Sequence, residues 1–233
     1  MPGILWKIGP LILIVFLFKA CERDKQEELV YIPSKAFLDA LIYNGTDRNR
    51  DGMISYREAE ATKRLLIPPS GIDDLTGLEA FVNLDSLTIT LNPLEGIDLS
   101  SNPLLRYLDI NYCELTHLDL SNNLRLETLN CGRNRLAGID LSNNPALTSL
   151  IINNNLLREL DLSPVTSLTT MIACGNQLSY LDISGHSQLT IIGVDNMRML
   201  TEVCVWTLPF PPEGVTVLQD FSPNIRYTTG CSR

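Results

Sequence analysis

The stretch Leu84-Asp85-Ser86-Leu87-Thr88-Ile89-Thr90-Leu91-Asn92-Pro93-Leu94 decides the fold, because its spacing returns along the chain without drift. The Leu87 position recurs as Leu108, Leu129, Leu150, Met171 and Ile192, a strict 21-residue period. The Ile89 position recurs as Ile110, Cys131, Ile152, Ala173 and Val194, and the Leu94 position as Leu115, Leu136, Leu157, Leu178 and Met199. The Asn92 position becomes Cys113, Asn134, Asn155 and Asn176, then lapses to Met197. A second motif shares the period: Ile97-Asp98-Leu99-Ser100 returns four times, down to Leu181-Asp182-Ile183-Ser184, and is lost at Glu202-Val203-Cys204-Val205.

Alternation in Leu-x-Leu is a strand with one inward face. A single 21-residue coil cannot bury that face, whereas stacked coils share a parallel sheet and a continuous ladder of aliphatic side chains. The asparagine sits where the chain leaves the strand. There its amide satisfies turn groups that would otherwise be buried unpaired. The pattern over residues 84–205 resembles the leucine-rich repeats, a family whose turn position admits Asn or Cys. The resemblance implies a curved right-handed coil of 21-residue repeats with a parallel β-sheet on one face, and a binding role rather than a catalytic one.

Residues 47–58, Asp-Arg-Asn-Arg-Asp-Gly-Met-Ile-Ser-Tyr-Arg-Glu, match the EF-hand calcium template D-x-[DN]-x-[DN]-G-x5-E at every position. A hard cation such as Ca2+ takes six to eight oxygens. Asp47, Asn49 and Asp51 offer side-chain oxygens, Met53 its carbonyl, Ser55 its hydroxyl or a water, and Glu58 both carboxylate oxygens; Gly52 permits the sharp turn. Ser55-Tyr56-Arg57-Glu58 is also a helix capping box, which needs no metal. Ser34 caps one expected helix, and a second is expected over residues 56–66, ending before Pro68. Together they make a small α-helical EF-hand-like N-terminal cap, with Ca2+ as the expected cofactor, one ion that stiffens it.

The chain has 233 residues, 45% hydrophobic and 19% charged, with a net charge of −9. That sign repels phosphate backbones and argues against nucleic-acid binding. Lys7 and the apolar stretch at 8–18 read as an export signal, too short to span a bilayer. Leu17-Phe18-Lys19-Ala20-Cys21 resembles a bacterial lipobox, departing from it at Lys19; the resemblance makes Cys21 the lipid attachment point. An ordinary cleaved signal and an uncleaved anchor are the other readings. The organisation expected is a lipoprotein signal at 1–20, a charged tether at 21–32, the helical cap at 33–69, the repeat solenoid at 70–205 and a C-terminal cap at 206–233. The arrangement as a whole resembles Gram-negative surface lipoproteins in which an EF-hand loop precedes leucine-rich repeats, which implies an outer-membrane location.

Of the five cysteines after Cys21, Cys204 and Cys231 are expected to form a disulfide, Cys131 to lie in the core and Cys174 to be partly exposed. The proline-rich run at 206–212 is expected to close the open end of the core without offering a strand edge. His117 and His186 read as surface residues with no nucleophile near them in sequence, so no enzyme is expected. The recurring aspartates Asp98, Asp119, Asp140, Asp161 and Asp182 read either as a cation-binding strip or as acceptors for their own turn amides. Outward residues beside the strands make a strip about 29 Å long over six coils. Within it Tyr107, Asp109, Tyr112, Arg133, Ile151 and Ile172 are the candidate partner-binding residues. A protein ligand is the first expectation, carbohydrate the second, and a structural lipoprotein without a dedicated ligand the third.

Overall fold

The inward leucines do stack. In the computed structural model, which describes residues 28–222 and 224–231, Leu65, Leu87, Leu108, Leu129, Leu150, Met171, Ile192 and Val217 stand in one register across eight parallel strands. The strands are β1 (Arg64–Ile67), β2 (Ser86–Ile89), β3 (Tyr107–Asp109), β4 (Thr128–Asn130), β5 (Ser149–Ile151), β6 (Thr170–Ile172), β8 (Ile191–Gly193) and β10 (Thr216–Leu218), in that order. A second sheet of three parallel strands pairs β7 (Tyr180–Asp182), β9 (Glu202–Cys204) and β11 (Arg226–Thr228). Cys21 and the signal segment lie outside the described residues.

Each strand is only three or four residues long because the chain must turn out of it within the 21-residue coil. The column Leu84, Leu105, Leu126, Leu147, Leu168 and Leu189 is fully buried beneath the sheet. Burying a leucine contributes roughly 1.5–3 kcal/mol, so the stacked columns supply the fold's main driving force, coil against coil.

Two rows of asparagine hold the turns. Asn134, Asn155 and Asn176 each donate to a carbonyl one coil back and accept the amide of Leu115, Leu136 or Leu157. Cys113, the sulfur rung, reaches only Ile89 O at 3.5 Å and Asn111 O at 3.7 Å. The second row was not anticipated. Asn102, Asn123 and Asn144 are buried and donate to carbonyls 24 and 21 residues back.

That row corrects the reading of His186 as a surface residue. It is 3% exposed, and its Nε2 meets Leu162 O at 3.1 Å, the carbonyl 24 residues back. His186 therefore takes the asparagine's place in its coil, an imidazole N–H standing in for an amide N–H. His117 is exposed.

The N-terminal part holds α1 (Lys35–Tyr43), capped by Ser34, and α2 (Tyr56–Ala61), which closes a capping box between Ser55 and Glu58. The helix expected over 56–66 stops at Ala61. Beyond it Arg64-Leu65-Leu66-Ile67 alternates exposed and buried, a period of two, and pairs with β2. The sheet thus begins inside the segment assigned to the helical cap. Its first edge is closed by one side chain: Asn44 donates to Arg64 O and accepts Leu66 N, as a neighbouring strand would.

At the C-terminal end the run at 206–212 contains no strand, and the chain beyond it makes an addition that the repeat pattern did not suggest: β10 joins one sheet and β11 the other. Val217 and Tyr227 carry the inward pattern, and Phe210 packs against Tyr227 and, edge-on, Trp206. A disulfide joins Cys204 on β9 to Cys231, with Cα atoms 5.9 Å apart. Cys131 is buried and Cys174 partly exposed, both free.

Candidate functional site

The loop at 47–58 is built from its own hydrogen bonds. Asp47 accepts the amides of Arg50 (2.6 Å) and Gly52 (3.0 Å), and Asn49 and Asp51 bond to each other. Gly52 has φ +82°, which few residues other than glycine adopt. The Glu58 carboxylate is buried, with Arg48 N and Asn49 N on one oxygen and Ser55 N and Oγ on the other. Burial pushes the Glu58 carboxyl up, but these amides and the Ser55 hydroxyl outweigh it, so the group sits below the usual carboxylate range. Val30 N bonds Ile54 O and Tyr56 N bonds Glu28 O, tying the loop to the preceding chain. Met53 is exposed, and its amide goes to Asp51. Among the described residues, no three of His, Cys, Asp and Glu stand together as a metal-holding group.

The repeating aspartates serve their own turns. Asp98, Asp119, Asp140, Asp161 and Asp182 each accept the amide of the serine two residues on, at 2.8–2.9 Å. The serine hydroxyl and amide hold Asp98 and Asp161 below the ordinary carboxylate range, and the serine amide and hydroxyl do the same for Asp119 and Asp140. At Asp119 the neighbouring Asp98 and Asp140 charges act the other way and do not prevail.

The outward face of the eight-stranded sheet has two zones. Toward the N-terminus stand Tyr107, which is exposed, and Asp109, half-buried and bonded to Asn111. Toward the C-terminus, Ile151 and Ile172 lie side by side on β5 and β6 in one register column, with exposed Ile191 and Leu218 beyond. The ten outward positions on β4, β5, β6, β8 and β10 hold Thr, Asn, Ser, Ile, Gly and Leu, and none is ionisable.

Tyr112 and Arg133 are not on a strand. They occupy the turn just past it, in the left-handed region, with φ 54° and 56°. The same position holds Leu91 (56°), Asn154 (54°), Gly175 (66°) and Asn196 (52°). For a bulky residue this backbone costs about 1–2 kcal/mol. The Arg133 guanidinium lies 4.5 Å from the centre of the Tyr112 ring, a contact between adjacent coils. An exposed cation–π pair returns only about 0.5–1 kcal/mol. Leu91 was missed from sequence because it looks like one more repeat leucine; its 55% exposure sets it apart.

No protein-family model and no curated protein matches the chain. Solved structures do. The leucine-rich effector protein YopM from Yersinia pestis superposes with TM-score 0.58 at 22% identity, covering 83% of this chain and 61% of that one. The leucine-rich repeat domain of APL1B gives 0.54 at 18%, covering 84% and 61%. The fold is a leucine-rich-repeat solenoid. The functional domain of InlJ from Listeria monocytogenes matches at TM-score 0.40 and 18% identity, covering 86% of this chain and 64% of its own. The chain therefore spans between 61% and 64% of the length of these three structures. In this solenoid the strands' inner faces are consumed by the core, while the outward face of the sheet and the left-handed turn row lie at the surface.

Proposed function

We propose that this chain is a non-catalytic binding scaffold that takes a protein partner on the outward face of its eight-stranded sheet. The observation that carries the reading is the face itself. It has ten adjacent positions without an ionisable group in a chain of net charge −9, bordered by two tyrosines and an arginine. Aromatics and arginine dominate protein interfaces, and depletion of charge marks their centres.

The test is site-specific photo-cross-linking. A cross-linker replacing Tyr107 or Ile172 is expected to give discrete protein adducts on intact cells, and one replacing Leu124, exposed away from the strands, none. Equal adducts from all three, or binding to a glycan array with no protein adduct, would remove the reading.

The scaffold is exported and held by lipid at Cys21 to a Gram-negative outer membrane. The lipobox-like sequence supports this, and so does the Cys204–Cys231 disulfide, a bond characteristic of oxidising compartments.

One Ca2+ stabilises the N-terminal cap. The donor set fits a hard cation: oxygen only, from Asp47, Asn49, Asp51, Glu58, the Met53 carbonyl and Ser55, around the turn at Gly52. Bound there, the ion would supply charge neutralisation to three carboxylates. At calcium tenfold or more above a Kd of roughly 10⁻⁴–10⁻³ M, linkage adds about 1.5–2.5 kcal/mol. The melting temperature of the wild type is then expected to fall by about 5 °C on chelation. Glu58→Gln is expected to melt at the same temperature with and without chelator; a wild-type-sized chelator response in that variant would sink the site.

A further inference from the structure

We infer that Leu91, Tyr112 and Arg133 form a recognition rim for a protein segment that presents a carboxylate beside an apolar side chain. The inference rests on the protein-binding reading above and names the chemistry of the partner. All three occupy the left-handed turn position of successive coils, where the next three coils show that Asn154, Gly175 and Asn196 suffice. The backbone therefore does not call for bulky residues here. Nor does the core, since Leu91 is 55% exposed, Tyr112 44%, and Arg133 exposed as well.

What the three side chains do gain is position. Leu91 N, Tyr112 N and Arg133 N are bonded to Asn111 O, Gly132 O and Asn153 O of the following coils, so each Cα is pinned. Tyr112 then serves as a shelf under the Arg133 guanidinium. Three arginines of the solenoid spend their charge internally, Arg106 on Glu127, Arg135 on Glu114 and Arg226 on Glu202, and Arg133 differs from all three in lying over an aromatic ring. No ion pair to Arg133 occurs among the described residues, in a chain with an excess of acid. A stacked, unpaired guanidinium presents a planar fork of donors that fits a carboxylate with two parallel hydrogen bonds, and its ordering is complete before the partner arrives. Leu91, one coil beyond Tyr112, supplies the apolar contact next to it.

Two measurements test this. If the row is kept for recognition, relieving its backbone should not harm the fold. Tyr112→Asn and Arg133→Asn are each expected to hold or raise the melting temperature, by up to about 3 °C. Panning a random peptide library on the immobilised full chain is expected to enrich peptides with Asp or Glu beside an aliphatic or aromatic residue. Their binding should weaken about tenfold on Arg133→Asn, or when the peptide carboxylate is changed to the amide. A fall of several degrees in both Asn variants would make the row structural and overturn the proposal. So would a library that enriches nothing, or peptides that lack acid or bind Arg133→Asn as well as wild type. Cross-links from positions 107 and 172 that persist at full yield in Arg133→Asn would leave the face reading standing and remove this one alone.

Discussion

Asn155→Ala is expected to melt about 10 °C below the wild type. The Asn155 side chain is buried and makes four bonds, three from Nδ2 to Cys131 O, Ile152 O and Asn153 O, and one from Leu136 N to its Oδ1. Alanine leaves Leu136 N unpaired inside the turn, while Cys131 O and Ile152 O each lose one of two amide donors and keep Asn134 and Asn176. One stranded buried amide costs about 1–3 kcal/mol and each lost bond about 0.5–1.5 kcal/mol, so about 3–4 kcal/mol in total is expected. For a chain of this size that corresponds to about 10 °C. Thermal denaturation followed by circular dichroism reads it directly. The natural comparison is Cys113, which occupies the same row with only long sulfur contacts. Cys113→Asn is expected to shift the melting temperature upward. If Asn155→Ala melts within a degree or two of wild type, the row is not what holds the turns.

Cys231→Ala is expected to loosen the whole last coil. The disulfide closes a sequence separation of 27 residues, for which the chain-entropy treatment gives about 3.5 kcal/mol. The loss falls unevenly, because β10 and β11 bury their inward residues only partly and touch the solenoid on one side. Limited proteolysis should therefore cut the variant first between residues 206 and 231, while residues 64–205 resist. Cleavage spread evenly along the chain, or a melting temperature equal to that of wild type, would show that the bond adds nothing to the cap. Replacing Cys231 rather than Cys204 keeps the buried core position filled.

The central coils were legible because their period is strict. Leu87 and its five successors predict the register that β2 to β6 and β8 adopt. The end coils escaped for a plain reason. Leu65 stands one position too far before Leu87, and Val217 four positions too far after Ile192, for the period to reach them. A search at a fixed interval passes over both, and local propensity then misread 64–66 as helix. Pairing with β2 overrode it. His186 escaped differently. The recurrence of Asn102, Asn123 and Asn144 at the same period was visible, but nothing in sequence says that an imidazole can replace an amide in that row. Binding residues were the least legible. Tyr107 and Ile151 follow from strand alternation, whereas the left-handed turns beneath Leu91, Tyr112 and Arg133 follow only from backbone angles.

Asn44 gives the molecule a direction. By filling the hydrogen-bonding edge of β1, it marks one end of the coil stack as finished, so the stack can change in length only on the far side of that strand. Every central coil bonds only to the coils before and after it, in one register. One whole repeat can therefore be duplicated or deleted between Asn134 and Asn176 with both ends of the molecule undisturbed. Gene-level stuttering in this region would read out as a change in reach of about 4.8 Å per coil. Length becomes a heritable variable separate from stability, and the distance between the two ends of the solenoid can drift without any coil having to be reinvented.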